Sequence, residues 1–231
     1  MTLNRPIFSI RAEGNGYTVF QNDEILKTPL HAPIVVPTRA LAKAIGEEFA
    51  SQGEKIDVRK MPLMQMALTA IDVSVPNREN IIKGIMRYGE TELLCQRATD
   101  PVDLVAEQNK TWQPYLDWCK EAFTADLRTG QGIVPFEQNK EALAALRREI
   151  EKGDAFLLTG LSEACGTLGS LVLGLALMAG RAGAEAVFEA AELDHNWQNK
   201  KWGEDPVSQS RHADIKRDLD VCARWFALLK K

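Results

Sequence analysis

IFSIRAEGNGYTVFQNDEILK, residues 7–27, decides how the chain begins. Three short runs rich in apolar and β-forming residues, 7–11, 17–21 and 24–27, are separated by Gly14-Asn15-Gly16 and by Asn22-Asp23. Asn-Gly and Asn-Asp pairs accept the positive φ that tight hairpin turns need, so the spacing predicts an antiparallel meander. A fourth run, 33–37, ends at Thr38, whose hydroxyl is placed to cap a helix over 39–52 with the apolar stripe Leu41, Ile45 and Phe49. A small sheet with a helix behind it is expected.

Beyond that point the period changes. Residues 61–73 place Leu63, Met66, Ala67 and Ala70 at helical spacing, with Pro62 in the first turn, where its missing N–H removes nothing. Pro76 breaks the pattern, Asn77 is expected to cap a helix through Tyr88, and Asp100-Pro101 opens another to Phe123. Residues 91–98 read as extended and 130–135 as a loop, after which helices are predicted over 137–151, 155–165, 167–178, 182–202 and 206–229.

Strands lead and helices follow without βαβ alternation. The fold class is therefore α+β: a β-rich N-terminal domain, a small antiparallel sheet with a helix, over 1–75, followed by an all-α orthogonal helical bundle over 76–231. A second option has 91–98 and 126–130 pairing back with the first sheet, which moves the boundary to about 130.

The composition suits a folded, water-soluble chain, since 45% hydrophobic and 26% charged residues leave neither the excess charge of a disordered polymer nor a membrane protein's apolar bulk. With 32 acids against 28 bases there is no basic surplus to hold nucleic acid or an anionic bilayer. Cys95, Cys119, Cys165 and Cys222 form no CxxC pair, so buried free thiols in a reducing compartment are expected rather than a zinc or redox site. Residues 1–10 carry neither a signal-peptide pattern nor an Arg- and Ser-rich presequence pattern. The apolar stretch 164–178 falls short of the ~20 residues a bilayer helix needs and reads as a buried core helix.

A search for catalytic chemistry finds little. His31, His195 and His212 include no i, i+4 pair, and HExxH is absent. Asp194 and His195 are adjacent, but neighbours on a helix point about 100° apart, so they make no dyad and His195 reads as a solvated surface residue. GxSxG is missing, and Ser162 and Ser170 lie within helical apolar stretches. Glu141 with Arg147 and Arg148, and Asp214 with Arg217 and Asp218, read as charged helix faces. The run from Cys165 to Gly169 resembles part of a glycine fingerprint and supports, as the alternative function, a small nucleotide-binding enzyme using the segment near Gly166. That reading lacks the GK[ST] ending and a surrounding βαβ unit; the glycines equally serve close helix packing or helix ends.

The tail sets Phe188, Leu193, Trp197, Trp202, Trp225 and Phe226 beside Glu189, Glu192, Asp194, Glu204 and Asp205. Two readings stand: an interaction face of aromatics steered by acids, or bundle core with a solvated acidic rim.

Several segments resemble one family along nearly the whole chain: Lys27-Thr28-Pro29, Pro37 to Ala42, Met61-Pro62-Leu63, Thr69 to Asp72, Leu93 to Ala98, and Trp112 with Pro114, Leu116 and Trp118. In the tail, Leu193-Asp194, Trp197-Gln198 and Trp202 to Asp205 complete the pattern. The chain is similar to the assembly chaperones that hold the alpha subunit of the F-type ATP synthase catalytic sector. It departs from them at Phe49, where Trp is usual, at Gln96 for Tyr, at Gln113 for Asp, and at Val207 for Glu.

The resemblance implies a chaperone without catalytic activity or cofactor, whose partner is the alpha subunit, and the charge balance, run lengths and motif search add that no metal, nucleic acid or membrane insertion is expected. Members of that family occur in alphaproteobacteria and in mitochondria, and without a presequence pattern a monomer in a bacterial cytoplasm is expected, or in the mitochondrial matrix for a trimmed eukaryotic member. The resemblance assigns partner binding to Asp194, Trp202, Gly203, Asp205 and Arg97, with Asp194 matching an acidic residue held to matter for function.

Overall fold

The computed structural model of the protein describes residues 8–53, 56–132, 136–203 and 206–230. The chain divides into two compact units, Met1–Arg78 with Asp154–Gly160 and Arg224–Lys231, and Glu79–Gly153 with Leu161–Ala223.

In the first unit, strand β2 (Gly16–Gln21) is the centre of a four-stranded antiparallel sheet. β1 (Phe8–Glu13) pairs along one edge of it in the register Phe8↔Gln21 to Glu13↔Gly16; β3 (Glu24–Ile25) and β4 (Val35–Val36) share the other. Asn22 and Asp23 take φ of 49° and 65°, as the two-residue turn between β2 and β3 requires. Helix α1 (Arg39–Ala50) covers the sheet; Thr38 Oγ1 accepts from the Leu41 N–H at 3.1 Å, and Leu41, Ile45 and Phe49 are buried with Val19, Ile34 and Val36. The N-terminal expectations hold here.

Helix α2 (Pro62–Thr69) is capped from a distance. Glu48 of α1 is buried, and its two carboxylate oxygens accept from the Leu63 and Met64 N–H groups at 2.9 Å each. Burial pushes the Glu48 carboxyl up from its ordinary pKa, against the pull of those two donors. The later returns close this unit: Ser74 and Thr159 hydroxyls bond at 2.7 Å, the Trp225 indole donates to the Phe156 carbonyl at 3.0 Å, and Gly160 leaves the space that the Trp225 and Phe226 rings fill.

The second unit is built on helix α4 (Val102–Phe123), against which α5 (Lys140–Ile150), α7 (Leu171–Ala179) and α9 (Leu193–Trp202) pack. α3 (Arg78–Glu90) contributes Ile82, Ile85 and Met86 to buried positions, and Asn77 sends its side-chain amide to the Val73 carbonyl at 2.9 Å. The four cysteines are buried and free; burial raises every thiol's pKa, that of Cys119 to about 12, so none is primed as a nucleophile.

Four expectations need correction. The extended segments do not pair back with the first sheet: β5 (Gln96–Arg97) pairs in parallel with β6 (Gly130–Gln131), within the second unit, so that unit is helical but for this two-stranded ladder. The segment 164–178 is not one core helix. α6 (Ala155–Leu168) ends where Gly169 takes φ of 66°, and Ser170, far from being inside a helix, is the N-cap of α7, accepting from the Leu173 N–H at 3.0 Å. The stretch 182–202 is not continuous either: α8 (Ala184–Ala191) and α9 are separated at Glu192, whose backbone leaves helical geometry while its carboxylate is held by residues of α10 (Pro206–Leu229). Finally, Cys165 to Leu168 form the last turn of α6, so the phosphate-cradling loop that the nucleotide reading requires is absent there. No helix among the described residues is long and apolar enough to cross a membrane, and no described His, Cys, Asp and Glu residues form a metal-binding group.

Candidate partner-binding site

One face of α4 organises the tail. Gln108 and Trp112, one helical turn apart, are each 1% exposed. Trp112 Nε1 donates to the Ala190 carbonyl at 2.7 Å, fixing the end of α8. Gln108 Oε1 accepts from the Ala98 N–H at 2.9 Å, and Nε2 donates to Asp194 Oδ1 at 2.8 Å. The Ala98 bond fixes which end of the amide is which, because only a carbonyl oxygen accepts from that N–H. The amide nitrogen is then left for Asp194, which stands half-buried in the first turn of α9.

Glu192, two residues earlier, is 7% exposed and taken up by α10. Arg211 binds it through both terminal nitrogens at 2.6 and 2.8 Å, and His212 Nε2 lies 3.2 Å from Oε2. Burial alone pushes this carboxyl up, but Arg211 and His212 outweigh it and hold the pKa below the usual value. Between α9 and α10 an open cavity of about 350 Å³ is lined by Glu192, Asp194, His195, Gln198, Ser208 and Arg211. His195 is a half-buried wall of this cavity, 3.4 Å from Ser208 Oγ, and not the solvated residue that spacing indicated.

The tail aromatics divide. Phe188, Leu193, Trp197, Trp225 and Phe226 are buried, whereas Trp202 is 73% exposed. Lys201, next to Trp202, bridges Asp103 at 3.0 Å and stands 3.9 Å over the Trp197 ring. Val102, next to Asp103, is 79% exposed, so two apolar groups face outward at the same end of the α4 and α9 pair.

Of the other residues assigned by resemblance, Gly203 takes φ of 91° as it ends α9, and Asp205 lies outside the described residues. Arg97 is 5% exposed, its guanidinium 5.3 Å from the Trp112 ring centre and donating to Asn109 and Gln113 side-chain oxygens at 3.2 and 3.3 Å. Gln108 escaped the sequence reading; its only local sign is a polar residue four positions before Trp112 on the buried stripe of α4.

Gln108→Leu is expected to lower stability by about 1–3 kcal/mol, because the Ala98 N–H and Asp194 lose a partner in a buried place. Chemical denaturation of the variant beside the unmodified protein checks this; equal midpoints would show that the bonds contribute nothing net.

A family model described as ATP12 chaperone protein matches residues 8–120. Over the full fold, the chain is similar to the crystal structure of Atp12 from Paracoccus denitrificans, with a TM-score of 0.93 and 34% identity over 96% of each chain. An aspartate-to-lysine mutant of the same organism's Atp12p matches with a TM-score of 0.94 and 33% identity, covering 96% of this chain and 95% of that one. A protein of Agrobacterium tumefaciens matches at 0.91 and 32% identity, over 96% of this chain and 84% of its own.

Proposed function

Because the chain belongs to the ATP12 chaperone family, we propose that it serves assembly of the F-type ATP synthase catalytic sector by holding the unassembled alpha subunit through the α9 face. The observation that carries this reading is the pairing of Asp194, oriented by Gln108, with an exposed apolar end at Trp202 and Val102. An unassembled subunit exposes apolar surface meant for its neighbour, and such surface aggregates. Reversible cover needs apolar contact area with charges to set register, at an affinity low enough for release. Asp194, Trp202, Gly203, Asp205 and Arg97 are proposed as the residues of this function, the first two at the contact itself. The protein works in this reading as a monomer in a bacterial cytoplasm, without catalysis.

The test is to mix purified chain with alpha subunit refolding in the absence of beta. Light scattering should fall in proportion to added chain, and the two should co-elute on size exclusion. Undiminished scattering together with separate elution would sink the proposal.

A further inference from the structure

Among the described residues that line the α9 and α10 cavity the charges do not balance, and the excess lies on one carboxylate. Glu192 is matched by Arg211 and approached by His212, so this acid and the arginine of the cavity lining cancel each other. Asp194 is different. Its partner among the described residues is a neutral amide, Gln108, which occupies Oδ1. Gln108 is itself 1% exposed and fixed at its other end by Ala98, so it cannot turn away, and it supplies no positive charge. The rest of the polar lining is the His195 imidazole, 3.4 Å from the Ser208 hydroxyl, and the neutral Gln198 and Ser208, so no lysine or further arginine among the described lining residues faces Asp194.

We propose that this cavity receives a lysine or arginine side chain of the bound partner, with Asp194 as its counter-ion. The inference rests on the alpha-subunit reading above and names the chemistry of its contact. An anionic guest would meet the unmatched Asp194 carboxylate and gain nothing from Arg211, whose terminal nitrogens are held on Glu192. An apolar guest would strip water from Asp194 without replacing it. A cationic one supplies the missing charge, and a basic side chain carries its head on a stem that can lie along the partly apolar walls. The volume, about 350 Å³, reaches the lower end of the range for ligand pockets and exceeds what a single side chain requires. Gln108 acts here as a positioning residue, holding Oδ1 so that the second oxygen of Asp194 is presented in a fixed direction.

The experiment measures binding of unassembled alpha subunit to the full chain at two or more salt concentrations. Asp194→Asn keeps the oxygen that accepts from Gln108 and removes the charge. Its affinity is expected to fall at least roughly tenfold at low salt, with a shallower salt dependence than the unmodified protein. Glu107→Gln serves as the control, since Glu107 lies outside this cavity and is bridged by Lys200 at 3.5 Å; its affinity should stay within about twofold. Wild-type affinity and salt dependence in Asp194→Asn would overturn the cavity assignment while leaving the chaperone reading intact. Equal losses in both variants would also overturn it, because the effect would then belong to the overall negative field. Failure of the unmodified chain to bind alpha subunit would remove the reading on which the assignment rests.

Discussion

Glu92→Ala is expected to lower the unfolding free energy by about 3–5 kcal/mol at about pH 5, a large share of the 5–15 kcal/mol typical of a folded domain. Glu92 is 3% exposed, and four donors converge on its carboxylate: the Ser170 hydroxyl and the N–H groups of Leu171, Val172 and Leu94, the last three at 3.0, 3.1 and 3.3 Å. α7 begins at Leu171 and is buried along almost its whole length, so water cannot satisfy its first N–H groups. Ser170 takes one, from Leu173, and Glu92 takes two more. Truncation to alanine strands those donors, at about 1–3 kcal/mol for each buried group left unpaired. Urea denaturation is the measurement, and a loss below about 1 kcal/mol would show that the helix start relaxes to find other partners.

The same residue sets a pH dependence. Burial pushes the Glu92 carboxyl up to about 7, against the four donors that pull it down. A folded pKa above the unfolded one means that the fold favours the protonated acid. Its contribution is complete below the unfolded value of 4.5 and is lost as pH rises through about 7. The stability difference between the wild type and Glu92→Gln, which cannot ionise, should therefore shrink by about 3 kcal/mol between pH 4.5 and 8. A difference that stays flat, or widens, would contradict this sign.

Trp112→Ala is expected to cost about 3–5 kcal/mol and to abolish with it the alpha-subunit binding proposed above. The ring is 1% exposed, its N–H holds the Ala190 carbonyl, and the Arg97 guanidinium lies over its face. Removing it opens a void at the α8 and α9 junction, from which Asp194 projects. Trp112→Phe separates the parts: it retains most of the volume but leaves Ala190 without its donor, so about 1–3 kcal/mol should be lost with binding weakened rather than abolished. Denaturation curves and alpha-subunit binding on the same samples decide this. Full binding by Trp112→Ala would show that the junction does not depend on the ring.

The local elements were legible in the sequence because their causes are local. Asn22-Asp23 turns because both residues tolerate positive φ, Thr38 starts α1 because its hydroxyl reaches the N–H three residues on, and Leu41, Ile45 and Phe49 are buried because they share one helix face. The candidate site was legible only in part. Asp194 and Trp202 entered as candidates through resemblance, since spacing alone favoured the tail aromatics as core. The structure separates exposed Trp202 from buried Trp197, five residues earlier.

What the sequence determined by itself is the order of elements: a hairpin meander with a capped helix, then helices, with no nucleophile motif, metal pattern or basic surplus to suggest chemistry. Only the tertiary structure decided that Glu48 caps a helix 15 residues on, that Glu92 caps one 78 residues on, and that Gln108 orients Asp194 from 86 residues away. It also decided that β5 pairs with β6 and that a helical pattern breaks at Glu192. The reason is physical. Periodicity and capping signals arise from neighbours within a turn or two, whereas a buried polar group takes whichever partner the folded chain brings to it, and that choice leaves no trace in local spacing.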